Sequence, residues 1–143
     1  MTNWIELATD SHYRTAAAIR NALQAGELVE VAIGLDELIE ALHRAELRAL
    51  EHQLVRLMLY SILWRLRPEQ RSVAWKNTIS LAREVIVAIR QETPSLTRGI
   101  IEEGWDDLLE QAKRDAEVLL DCDLPSQRLT WQEAFEDDYH LAG

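Results

Sequence analysis

The strongest constraint on this chain lies in residues 54–66, where only Arg56, Ser61 and Arg65 interrupt a run of apolar side chains, Tyr60 counted as apolar. A helix that is apolar nearly all round has to be covered on most of its sides. At 13 residues with two arginines, the run is too short and too charged to cross a bilayer. Other helices of the chain, or of a second copy, therefore have to cover it. A length of 143 residues predicts one domain spanning 1–143, since domains cluster at roughly 100–150 residues. The 48% hydrophobic content excludes a disordered polymer.

Apolar periodicity places the other helices around this run. Ser11 or Asp10 is a plausible N-cap and Gly26 a plausible stop, which predicts a first helix over 11–25 with Ala16, Ile19 and Leu23 on one face. Residues 1–10 read as a lead-in and 27–34, which alternate weakly in hydropathy, as an extended connection. Asp36 is placed to cap a central helix over 36–66, kinked or straight near His43 and Arg44, with Leu35, Leu38, Leu42, Ala45 and Ala49 as its inward stripe. Arg67 before Pro68 ends it. A third helix runs from about 69–73 to 91 on Trp75, Ile79, Ala82, Ile86 and Ile89, leaving Lys76, Arg83 and Arg90 on a wet stripe. A fourth covers 95–121 on Ile101, Trp105, Leu108, Ala112, Ala116 and Leu119, with Gly99 and Gly104 marking a bend or a late start near 104. Thr130 with Glu133 fits a capping box for a short helix over 130–138. The fold class is all-α, an antiparallel bundle of about four helices plus a short C-terminal helix.

Formal net charge is −10, and the distribution matters more than the sum. Residues 1–101 carry 12 basic and 12 acidic side chains, whereas 102–143 carry 13 acidic against 3 basic. The basic side chains are thirteen Arg and two Lys, a bias that suits fixed bidentate pairing. The acidity opposes nucleic-acid binding by the chain as a whole. One basic stretch survives locally: Arg65, Arg67, Arg71 and Lys76 interleave with Trp64 and Trp75, a pattern that suits a phosphate backbone and stacked bases. The competing reading puts both tryptophans in the core and pairs the arginines with carboxylates. Glu103, Asp107, Glu110, Glu117 and Asp121 recur on one helix face, either as solvated surface or as a docking face for a basic partner.

Signals for chemistry are sparse. Glu40 and His43 have the i, i+3 spacing of carboxylate–histidine metal sites, but the second such pair that a bundle site needs is missing, since Asp137 and His140 share the spacing only near a terminus expected to fray. Cys122 is the lone cysteine, which excludes an internal disulfide, and its neighbours Asp121 and Asp123 work against the thiolate a nucleophile needs. No phosphate loop, dinucleotide fingerprint or nucleophile elbow occurs.

The segment LDELIEALHRAELRALEHQLVRLMLYSILW at residues 35–64, the basic turn around Pro68, SVAWKNTI at 72–79, and Pro94, Ser95 and Leu96 together resemble the bacterial Domain of Unknown Function 29 family. The resemblance covers roughly residues 12–121. It departs at His43, Arg44 and Ala45, where the family carries glycine, serine and basic residues, and in a basic turn poorer than the family's. It implies a small helical protein and carries over no catalytic residue.

These readings converge on a non-catalytic cytoplasmic helical protein acting through protein–protein contacts, self-association included, with no metal or cofactor and no membrane contact. The alternatives are a nucleic-acid-associated module using Arg65, Arg67, Arg71, Trp75 and Lys76 and, behind it, a metal-dependent enzyme.

Overall fold

The structure, a computed structural model, describes residues 2–141. Among the described residues there is no strand: the chain forms α1 (Trp4–Asp10), α2 (His12–Gln24), α3 (Leu28–Leu66), a 3-10 turn (Pro68–Gln70), α4 (Val73–Glu92), α5 (Arg98–Glu103), α6 (Trp105–Leu120) and α7 (Trp131–Phe135). The all-α expectation holds. No helix among them is long and apolar enough to cross a membrane. The described residues form two compact units divided between Leu47 and Arg48, a division that falls inside α3.

In unit 1, residues 1–10 are not a lead-in. Asn3 caps α1 by accepting the Glu6 N–H at 3.1 Å, while its own amide donates to the Glu6 carboxylate at 3.2 Å. Ser11 closes α1 through its N–H to the Leu7 carbonyl and caps α2 through its hydroxyl, which accepts from Arg14 N. Gly26 has φ +76°, and the Glu27 N–H reaches back to the Ala22 carbonyl at 2.9 Å, so the reversal into α3 takes only three residues.

The helix resumes at Leu28, which corrects the extended reading of 27–34 and the capping role of Asp36, now an exposed mid-helix residue. Val29, Val31 and Ile33 disfavour helix intrinsically. Packing overrides that preference at Gly34, which is buried at the closest approach to α1 and α2. A Cβ built there would lie 2.7 Å from Ile19 Cγ1 and 2.8 Å from Trp4 Cζ3. The Trp4 indole N–H donates to Glu30 at 2.7 Å across the same contact. The buried residues of unit 1 are Trp4, Ala8, Thr15, Ile19, Ala22, Gly34 and Ala41. Both expected stripes are therefore rotated: Ala16 and Leu23 on α2, and Leu35 and Leu42 on α3, are exposed.

In unit 2 the apolar run is covered within the chain. Leu54, Leu57, Met58, Ser61, Ile62, Leu63 and Trp64 are all buried, so this segment needs no second copy. Ser61 satisfies its hydroxyl on the Leu57 carbonyl at 2.8 Å. Helix α4 begins at a Ser72 cap and buries Ile79, Ala82 and Ile86 on the expected stripe. The expected fourth helix is two, α5 and α6, parted at Gly104, with Ile101, Leu109, Ala112 and Ala116 buried. Both bonds of the Thr130–Glu133 capping box are present, and α7 stops earlier than expected, at Phe135.

Replacing Gly34 tests the packing account of unit 1. An exposed helical Gly→Ala change gains about 1 kcal/mol, whereas Gly34→Ala is expected to lose about 1–2 kcal/mol because the Trp4 ring and Ile19 have to move. Chemical denaturation followed by circular dichroism measures this. A stabilised Gly34→Ala variant would overturn the contact.

Candidate functional site

The basic turn is built into unit 2 by main-chain carbonyls. Arg71 Nε donates to the Trp64 carbonyl at 2.7 Å, and its guanidinium lies over the Trp64 ring, 5.0 Å from the centroid. Arg65 donates to the Arg128 carbonyl at 2.7 Å and to Gln127 at 2.9 Å, with Glu133 at 3.6 Å. Arg67 donates to the Leu66 carbonyl at 3.0 Å and to Cys122 Sγ at 3.7 Å. Trp64 is buried and Trp75 half-buried edge-on to Tyr60, as the core reading expects. Lys76 is half-buried. Among the described residues, the expected pairing of these arginines with carboxylates is found only between Arg65 and Glu133 of α7. Their main partners are carbonyl oxygens, a role the spacing of the residues did not signal.

The same chemistry recurs on α4. Arg83 donates to the carbonyls of Ala134 (2.7 Å), Asp137 (2.8 Å) and Glu133 (3.3 Å), and its guanidinium sits 5.2 Å from the Tyr139 ring centroid. Tyr139 adds its hydroxyl to the Glu133 carbonyl at 2.8 Å. Arg90 donates to the Leu96 carbonyl at 3.1 Å. Arg83 and Arg90 are half-buried, so the stripe expected to be wet holds the C-terminal segment at Arg83 and the connection after α4 at Arg90 instead. Helix C-termini leave carbonyls without intrahelical partners, and a charged planar fork satisfies several at once.

A cleft of about 230 Å³ opens beside this arrangement, lined in part by Trp64, Arg65, Arg71, Glu133, Asp138 and Tyr139. Several of its polar groups are already engaged: Glu133 holds the Thr130 N–H and lies 3.6 Å from Arg65, and Asp138 lies 3.7 Å from His140. The cleft brings Arg65 and Arg71 together, and Trp75 and Lys76 do not line it.

The acidic residues are divided in the same way. Glu103 ends α5, while Asp107, Glu110 and Glu117 belong to α6, so they do not share one helix. Asp106 and Asp107 occupy the first turn of α6, where the helix dipole favours negative charge. Glu117 accepts the Leu124 N–H at 2.8 Å, Glu110 lies 3.6 Å from Lys113, and Asp121 adopts φ 52° as the C-cap. Much of the acidic excess thus serves helix ends. Among the described residues no three His, Cys, Asp or Glu side chains converge on a metal site, at Glu40 and His43 or elsewhere.

A surface that sequence reasoning missed lies on α3 in unit 1. Leu28, Ala32, Leu35, Ile39 and Leu42 are all exposed, Leu28 and Ile39 at 66% and 60%. Their spacing of 4, 3, 4 and 3 puts them in one stripe of the helix. The stripe was readable as periodicity, but four of its members were hidden by two assumptions: that 27–34 was extended, and that Leu35 and Leu42 faced inward. Beside α1, an open groove of about 460 Å³ is lined by Trp4, Ile5 and Ile33 with Glu30 and Glu37.

A family model, described as a domain of unknown function, DUF29, matches residues 11–140. No curated protein and no solved structure matches the chain.

If Arg83 acts as a carbonyl clamp, lysine cannot replace it, because one ammonium cannot span three carbonyls as a planar fork does. Arg83→Lys is expected to lose about 1–3 kcal/mol of stability. It should also speed amide hydrogen exchange over residues 130–139 more than elsewhere in unit 2. Unchanged exchange in that segment would refute the role.

Proposed function

The chain belongs to the family of the domain of unknown function DUF29, whose description assigns no activity, and from that premise we propose that it acts non-catalytically through contacts with other proteins. The observation that carries this reading is the exposed stripe on α3. Large apolar side chains scattered singly over a surface are ordinary, but a contiguous line of them signals a binding face. Here they line up over four helical turns at the spacing a partner helix reads. The polar chemistry supports the same reading, since Arg65, Arg67, Arg71, Arg83 and Arg90 hold carbonyls of the chain itself.

The nucleic-acid alternative loses most of its cations to those bonds and gains Glu133 and Asp138 as close neighbours of Arg65 and Arg71. The finer architecture belongs to the proposal too. The short connection from Leu66 to Val73 favours α3 and α4 as antiparallel neighbours in a bundle. Action in the cytoplasm fits a lone, exposed and unpaired Cys122.

A double substitution tests the function. Leu35→Gln with Ile39→Gln alters exposed residues only, so thermal stability should stay within about 0.5 kcal/mol of the parent. Chemical cross-linking in cells should give adducts with the parent chain that are lost in the double variant. Identical adducts from both chains would refute the stripe as the contact surface, and a large loss of stability would refute its exposure.

A further inference from the structure

We propose that the α3 stripe of unit 1 is the docking site for a basic amphipathic helix of a partner protein, an inference that rests on the protein-contact reading above and names the partner's chemistry.

The stripe Leu28, Ala32, Leu35, Ile39 and Leu42 repeats as a heptad seam does, and such a seam is matched by another helix rather than by a small molecule. Its charged surroundings select the kind of helix. Residues 21–43 contain Glu27, Glu30, Asp36, Glu37 and Glu40 and no Lys or Arg. Asp36 and Glu40 are exposed on the flank of the stripe next to Leu35 and Ile39. At 100° per residue Asp36 stands about 80° from Leu28, where a seam's flanking charges sit. On the other flank Val31, Leu38 and Ala45 are half-buried and carry no charge. The edge of the seam that carries Asp36 and Glu40 is therefore acidic.

That edge argues against a second copy as the occupant. Stripe laid antiparallel on stripe would bring the Asp36 flank of one chain against the same flank of the other, where like charges disfavour pairing; laid parallel, it would set Asp36 against the uncharged Val31 and Leu38 flank, with no cation to meet it. A helix with a leucine-type stripe edged by Lys or Arg instead meets apolar with apolar and cation with carboxylate. Encounter would be accelerated by the same field and weakened by salt.

The test uses the full chain and three labelled synthetic peptides of equal length: a Leu-striped helix edged by Lys and Arg, the same stripe edged by Glu, and a scrambled form of the basic peptide. Fluorescence anisotropy should show saturable binding of the basic amphipathic peptide, weakening as salt rises, with binding of the other two about tenfold weaker or more. Ile39→Asp provides the decisive control. It adds negative charge, so unspecific attraction to an acidic protein would rise, whereas a seam contact should weaken by about tenfold or more. Asp36→Lys with Glu40→Lys should turn the preference toward the Glu-edged peptide.

Equal binding of the basic and scrambled peptides overturns the proposal, as does binding that survives Ile39→Asp. A concentration-dependent dimer in sedimentation that Ile39→Asp dissolves would assign the stripe to a second copy and overturn it as well. If cross-linking still reports stripe-dependent adducts while the basic peptide fails to bind, the protein-contact reading stands and the basic-helix inference falls.

Discussion

Helix α3 carries apolar side chains spread along the whole of its 39-residue length, and that surface has to be covered. Burial of apolar area is the dominant favourable term in folding. The two units meet the demand differently. In unit 2 the helix is enclosed on most sides, leaving Leu50, Leu54, Leu57, Met58 and Ile62 at 1% exposure or less. In unit 1 only one face is covered. There the covering helices come so close that position 34 has room for no side chain at all. The opposite face is left with leucine and isoleucine in water.

Coverage in unit 2 would be incomplete without the arginines. A short helix and an irregular C-terminal segment expose carbonyls that need donors. Arg83 supplies them to Glu133, Ala134 and Asp137, Arg65 to Arg128, and Arg71 to Trp64. This accounts for arginine rather than lysine at these three positions. A guanidinium presents several donors in one plane and keeps its charge, whereas an ammonium is a point. The acidic excess has a related origin in part. Asp106 and Asp107 favour the start of α6, Glu117 holds the backbone of the following loop, and Glu133 closes a capping box. Net charge per segment is therefore a poor guide to what this surface offers a partner, because many of the charges already serve the chain's own backbone.

The face that remains is defined by what unit 1 leaves uncovered rather than by chemistry-bearing residues. Arg65, Arg71 and Arg83 hold carbonyls of the chain itself, while Leu28, Ala32, Leu35, Ile39 and Leu42 stay exposed beside the carboxylates of Asp36 and Glu40. Within the DUF29 family, where fold supplies no function by analogy, such a surface is a better starting point than the search for a catalytic constellation.

The sequence by itself determined the helical class, the covering of 54–66 on most of its sides, the inward stripe of α4, and the local stops and starts at Ser11, Gly26 and Thr130. These are short-range effects of periodicity, capping and the left-handed conformation that glycine tolerates, so a single chain states them directly. Asn3 with Glu6 carried the same kind of signal for α1 and was passed over. Only the tertiary structure decided the rest. It made 28–34 helical against the preference of its β-branched residues, because Gly34 lets α1 and α2 pack there. It turned Leu35 and Leu42 outward, because the helices packed on α3 in unit 1 settled on the face of Gly34 and Ala41 instead. It gave Arg65, Arg71 and Arg83 carbonyl partners 7 to 63 residues away in sequence. Partners at that distance leave no mark on local pattern, and which face of an amphipathic helix is covered depends on the neighbours that reach it.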